Sequence, residues 1–92
     1  MLTIEYTGKM KRDVKRMLKR GKDLTKLETV LQRLSMQIQM PPVYRDHQLK
    51  GNLSDLRECH IEADWLLVYR IKEEKLILLA VETGSHSDLF GV

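Results

Sequence analysis

Residues 53–81 read LSDLRECHIEADWLLVYRIKEEKLILLAV, and the reading of this stretch decides the fold. Three segments, Leu53 to Ile61, Trp65 to Ile71 and Lys75 to Val81, are rich in branched and aromatic residues and read as strands. Lys72-Glu73-Glu74, between the last two, is too short for a crossover connection, so an antiparallel meander is the natural arrangement.

The chain upstream supplies the cover for such a sheet. Leu2, Ile4 and Tyr6 alternate with Thr3 and Glu5, which predicts a short first strand. Met10, Val14, Met17, Leu18 and Gly21 then fall on one side of a helical wheel, with Gly21 at the expected C-terminus. Asp23 or Thr25 can cap a second helix, in which Leu24, Leu27, Val30, Leu31, Leu34 and Ile38 continue an apolar stripe until Pro41 and Pro42 end it. Two helices joined by a few residues cannot bury both stripes against each other alone, so they must lie on the sheet. The expected fold is α+β: a helical hairpin packed on a small antiparallel sheet in the order β-α-α-β-β-β, one domain over residues 1–92.

Composition narrows the function. With 92 residues, 42% of them hydrophobic, there is room for one modest core and none for an internal cofactor cavity. Trp65 to Tyr69 is far too short for a membrane span, and the charges from Lys9 to Lys22 exclude a signal-peptide core. Cys59 has no partner for an internal disulfide, which fits a reducing cytoplasm. Residues 1–40 carry ten Lys/Arg against four Asp/Glu, whereas residues 41–92 carry six against nine. The excess lies on the solvent side of the first helix, at Lys9, Lys11, Arg12, Lys15, Arg16, Lys19, Arg20 and Lys22. A cationic face of this kind suits a polyanionic partner, although a merely solvated face has the same composition.

All three histidines lie in the second half, in the contexts Asp46-His47, His60-Ile61-Glu62-Ala63-Asp64 and His86-Ser87-Asp88. His60 ends one expected strand, Asp64 precedes the next and His86 follows the last, so a meander can gather them at one end of the sheet. Imidazoles beside a carboxylate suit attack of an RNA 2′-hydroxyl on its own phosphate, because histidine serves as acid or base near neutrality. Arg57 or Lys50 could offset the charge that develops on the phosphate. Phe90 and Trp65 offer planes for an unstacked base, though Trp65, opening an apolar strand, reads as core. Neighbours in a strand face opposite ways, so Cys59 cannot serve as a nucleophile activated by His60, and it too reads as core. No HxH, HExxH or CxxC spacing and no glycine-rich phosphate loop is present, so neither a metal nor a cofactor is expected.

Three motifs in order, DHxLxG at residues 46–51, RxxHxxxDWLLxY at 57–69 and TGSHxxLF at 83–90, resemble the YafQ-type toxins of the RelE/ParE superfamily. The resemblance spans almost the whole chain. It implies a metal-independent ribonuclease that cuts mRNA in the ribosomal A site and is silenced by a cognate antitoxin, operator DNA being met only through the complex of the two. It carries the active-site positions onto His47, His60, Asp64, His86 and Phe90, with His86 the leading acid or base, and gives Lys11, Arg12, Lys15, Arg16 and Lys19 a role on ribosomal RNA or an acidic antitoxin segment. The pattern is broken at Glu82, where related sequences usually carry an arginine able to neutralise the scissile phosphate. Another cation then substitutes, the glutamate points away, or activity is reduced. The alternative within the superfamily is a ParE-like inhibitor of DNA gyrase that performs no chemistry and does not need the histidines.

Overall fold

A computed structural model describes residues 1–91. The chain runs β1 (Thr3–Tyr6), α1 (Gly8–Lys19), α2 (Leu24–Ser35), β2 (His47–Gln48), β3 (Arg57–Glu62), β4 (Trp65–Lys72), β5 (Ile77–Gly84) and α3 (His86–Phe90). The expected β-α-α-β-β-β order is present, with two short additions, β2 and α3. Five strands make one sheet in the order β1-β5-β4-β3-β2. The meander β3-β4-β5 is antiparallel as expected. β1, however, joins β5 in parallel, so the sheet is mixed. Residue alternation carries no strand direction, and the long connection between β1 and β5 permits either sense.

Backbone geometry explains the shifted boundaries. Leu53 belongs to a 3-10 turn at Gly51–Leu53, opened by Gly51 at φ 68°, and the strand begins only at Arg57. Lys75 ends another 3-10 turn, Leu76 turns the chain at φ 55°, and β5 extends from Ile77 to Gly84. The second helix stops at Ser35, before the prolines. Gln37 takes a left-handed conformation at φ 56°, which leaves Ile38 outside the helix and half exposed.

The caps bind the helices to the sheet. Thr7 Oγ1 accepts from the Met10 amide at 2.9 Å and donates to the Val81 carbonyl at 2.6 Å, so the residue that starts α1 also anchors it on β5. Asp23, not Thr25, caps α2, accepting from the Thr25 amide at 3.0 Å. Met10, Met17, Leu27, Val30, Leu31 and Leu34 bury their side chains against Cys59, Trp65, Leu67, Tyr69, Leu78 and Ala80. Leu18, expected on the apolar stripe, is half exposed, while Asp13 is buried. Its carboxylate accepts from Lys9 at 2.9 Å, Arg16 at 3.0 Å and the Thr83 amide at 3.2 Å, which offsets the cost of desolvating it. Among the described residues, no helix is long and apolar enough to cross a membrane.

Candidate active site

Strand parity sorts the candidate residues before any distance is read. Cys59 and its cross-strand partner Leu67 lie in the core beneath the helices, and Arg57, two residues earlier and opposite Tyr69, shares that face. Glu58 and His60 therefore occupy the other face, with Val68 and Leu66 opposite them. His47 of β2 pairs with Glu58, and Glu82 of β5 pairs with Val68, so both belong to this second face. A bulge at Ile61 then reverses parity, and Glu62 meets Lys22 and Lys26 of the helical hairpin, each at 2.8 Å.

On the second face three imidazoles converge. The His60 and His86 rings are 5.6 Å apart between centroids and inclined by 58°. Asp64, in the turn between β3 and β4, holds His86 twice, accepting from its amide at 2.8 Å and lying 2.5 Å from ring Nδ1. A carboxylate oxygen only accepts, so Nδ1 carries a proton and Nε2 is left to face a substrate. The His86 amide, and then its ring, lower the pKa of Asp64, which keeps the carboxylate charged. His47 Nδ1 lies 2.6 Å from the Arg45 carbonyl, which likewise makes Nδ1 the donor and aims Nε2 inward.

Glu58 links the cluster, and the motif reading missed it. Its Oε1 lies 3.7 Å from His47 Nε2 and 3.9 Å from His60 Nε2. The side chain is buried, and Oε2 has no hydrogen-bond partner among the described residues. Its signal in the sequence was parity alone: it stands two residues before His60 and so must share its face.

α3 delivers His86 and Phe90. Ser85 caps it in a reciprocal box with Asp88: Ser85 Oγ accepts from the Asp88 amide at 3.1 Å, and Asp88 accepts from the Ser85 amide at 2.9 Å. Arg20, at the end of α1, grips the same Asp88 with two bonds of 2.6 and 2.9 Å. Arg20 above all, with the Ser85 amide, holds the Asp88 carboxyl well below the usual carboxylate range. A Cβ at Gly84 would lie 2.8 Å from Asp88, so only glycine lets α3 turn this tightly off β5. His86 and Phe90 are four residues apart and share a helix face, with the phenyl ring 44% exposed.

Other expected residues lie elsewhere. Arg57 is on the helix-covered face, donating to Tyr69 Oη at 3.2 Å and to Asp46 at 3.1 Å, with Tyr69 also donating to Asp46. This correction removes Arg57 from the phosphate: its guanidinium is engaged on the wrong side of the sheet. Lys50 is exposed beyond β2 and, among the described residues, has no ion-pair partner. Trp65 is 1% exposed and donates to Thr83 Oγ1 at 2.9 Å, which makes it core. Cys59 is core as well, its thiol pushed up to about 12 by burial. On α1, Arg16 is paired with Asp13, whereas Lys11, Arg12, Lys15 and Lys19 make no ion pair among the described residues. Glu82 is not free, because Lys9 Nζ lies 3.2 Å from its carboxylate.

A short α+β domain with histidines and an acid gathered on the uncovered face of its sheet has the architecture of the RelE-like toxins. The family described as "Bacterial toxin of type II toxin-antitoxin system, YafQ" matches residues 2–91. The chain is 39% identical to the mRNA interferase toxin YafQ of Escherichia coli K12 over 89 residues, covering 96% of this chain and 95% of that protein. It is similar to the crystal structure of a metal-bound toxin from Helicobacter pylori, with TM-score 0.92 and 48% identity over 98% of this chain and 100% of that one. It is also similar to YafQ in the E. coli DinJ-YafQ complex, with TM-score 0.89 and 37% identity over 99% and 100% of the two chains. The chain belongs to the YafQ family of bacterial type II toxins. Among its described residues, no group of three or more His, Cys, Asp or Glu side chains is arranged to hold a metal ion.

Proposed function

We propose that this chain is an mRNA interferase, a metal-independent endoribonuclease that uses histidine acid-base chemistry on ribosome-bound mRNA. The observation that carries the reading is the convergence of His60 and His86, with Asp64 bonded to His86 and Glu58 between His47 and His60. In the reaction a base takes the proton of the 2′-hydroxyl, the oxygen attacks the adjacent phosphorus, and the bond from phosphorus to the 5′-oxygen breaks. The products are a 2′,3′-cyclic phosphate and a 5′-hydroxyl, the latter protonated by the acid. His86 is well placed as the acid, since Asp64 holds its ring by Nδ1 and leaves Nε2 toward the substrate. His60, beside buried Glu58, is well placed as the base. Phe90, on the face of α3 that carries His86, offers a stacking plane for an unpaired base.

The stripe Lys11, Lys15 and Lys19, with Arg12 beside it, supports a docking role on ribosomal RNA phosphates. The relative crystallised as a DinJ-YafQ complex supports a cognate antitoxin as partner. Operator DNA belongs to the same proposal as a partner of the pair and not of the toxin alone. Action on ribosomes places the protein in the cytoplasm. A gyrase inhibitor without chemistry is not favoured, since it would have no use for the histidine cluster and the named relative is an mRNA interferase.

Primer extension on a reporter mRNA, with and without ribosomes, tests the reading. Cuts that require ribosomes and vanish in His86→Ala are expected. Growth arrest that survives alanine at both His60 and His86 would return the gyrase reading.

A further inference from the structure

The site as described has acid, base and stacking plane but, among the described residues assigned to it, no cation free of an ion pair to meet the phosphate. Glu82 puts a carboxylate on this face, Lys9 beside it is shared between Glu82 and Asp13, and Arg57 is committed to Asp46 and Tyr69 on the opposite face. We infer that Arg45 supplies that cation, in a nucleotide subsite formed where β2 stops short and leaves the edge of β3 open. The inference rests on the nuclease reading above.

β2 covers only Arg57 and Glu58 of β3. Past that point the 3-10 turn at Pro42–Tyr44 packs beside β3 instead, and a cavity of about 620 Å³ opens between them, lined by Pro42, Tyr44, Arg45, His60 and Ile61 among others. That volume lies within the roughly 300–1,000 Å³ usual for small-molecule sites and is ample for one base. Its walls combine an aromatic ring and prolyl and aliphatic surface with a guanidinium and a catalytic imidazole, the set needed to hold one nucleotide with its phosphate against His60. Glu62 also borders the cavity, but its carboxylate is held by Lys22 and Lys26.

Arg45 is placed with unusual care. It closes the 3-10 turn in the left-handed region, at φ 48° and ψ 41°, where an arginine is strained and glycine or asparagine would be relaxed. The same turn sets the Arg45 carbonyl on His47 Nδ1 at 2.6 Å, so one residue orients a site histidine with its backbone and lines the His60 cavity, standing between it and the neighbouring cavity at Asp46, Arg57 and Tyr69. Arg45 is exposed and, among the described residues, has no ion-pair partner, although Asp46 follows it directly and is taken by Arg57.

Ribosome-dependent cleavage of a reporter mRNA by wild type, Arg45→Gln, Arg45→Lys, His86→Ala and, as a surface-charge control in the β4–β5 turn, Lys75→Gln tests the assignment, with thermal unfolding run on each. Arg45→Gln is expected to lower kcat by about 100-fold at an unchanged melting temperature, the usual effect of losing one preorganised stabiliser. Arg45→Lys should recover at least about tenfold of that loss by keeping the charge, and Lys75→Gln should behave as wild type. If His86→Ala is inactive while Arg45→Gln stays near the wild-type rate, Arg45 is not the cation and the nuclease reading stands. A folded Arg45→Lys as slow as Arg45→Gln would equally overturn the electrostatic role. Absence of cleavage by wild type, or full cleavage by His86→Ala, would instead remove the nuclease reading on which the subsite depends.

Discussion

The two faces of the sheet are built by the same strands and serve opposite ends. Under the helices lie Cys59, Trp65, Leu67, Tyr69, Leu78 and Ala80, and the acid and the phenol admitted there are answered, Asp13 by Lys9, Arg16 and the Thr83 amide and Tyr69 by Asp46 and Arg57. Arg16 Nε alone of the described buried side-chain groups on α1 is left without a partner. On the uncovered face lie His47, Glu58, His60 and Glu82 over a floor of Leu66 and Val68, and there Glu58 keeps an oxygen without a partner. Saturated hydrogen bonding holds a fold together; unsaturated polar groups are what a substrate can engage. A strand that alternates between these demands, as Arg57-Glu58-Cys59-His60 does, separates stability from chemistry one residue at a time.

Substitutions on each face should therefore move one property and spare the other. The largest effect is expected from Trp65→Ala, which empties the helix-covered core at a cost of about 3–5 kcal/mol and lowers the melting temperature by at least about 10 °C in a domain of this size. A loss under 1 kcal/mol by denaturant unfolding would mean that this face does not carry the stability. His86→Ala should do the reverse, reducing cleavage by about 10²–10⁴-fold while the unfolding curve stays in place. Glu82→Arg adds a cation to the reactive face and should raise the cleavage rate by less than the roughly 100-fold that a sole phosphate cation contributes, because Arg45 already serves. A full 100-fold gain in single-turnover kinetics would show the phosphate otherwise unattended. The smallest effect is expected from Ser85→Ala, about 1 kcal/mol from the lost cap of α3. The lowered pKa of Asp88 gives this attachment a pH dependence: its contribution is fully present above the ordinary carboxylate value of about 3.9 and is lost as pH falls through the lower folded value. Thermal unfolding followed from pH 6 to pH 2 should show no weakening of wild type from this source until below about pH 4.

Much of this arrangement was legible in the sequence. The helical hairpin, the meander and the meeting of His60, Asp64 and His86 follow from periodicity and from which chain segments a meander brings to one end. The face occupied by Arg57 was legible too, since it shares parity with Cys59, but its attraction as a cation outweighed that count. α3 was missed because five residues show no period, although Ser85 and Asp88 carry a cap signature. The parallel sense of β1, the bulges and the burial of Asp13 and Glu58 were hidden for a physical reason: each depends on pairing across the sheet, and a charged residue inside reads as outside until its partners are known.

The bulge in β5 has a consequence for chain length. Tyr69 pairs with Ala80 and Val68 with Glu82, so Val81 is an extra residue that shifts the frame of everything after it. Because of that one insertion, Ala80 and Thr83 both turn inward, and Glu82 turns out to meet Lys9. Deleting Val81 would leave Ala80, Glu82 and Thr83 on the faces they now occupy, because an unbulged ladder alternates in that same order, but it would remove the carbonyl that accepts from Thr7 Oγ1 and with it the anchor of α1 on β5. The extra residue thus serves the joint between the first helix and β5, while the ladder on either side of it sets where the histidines fall.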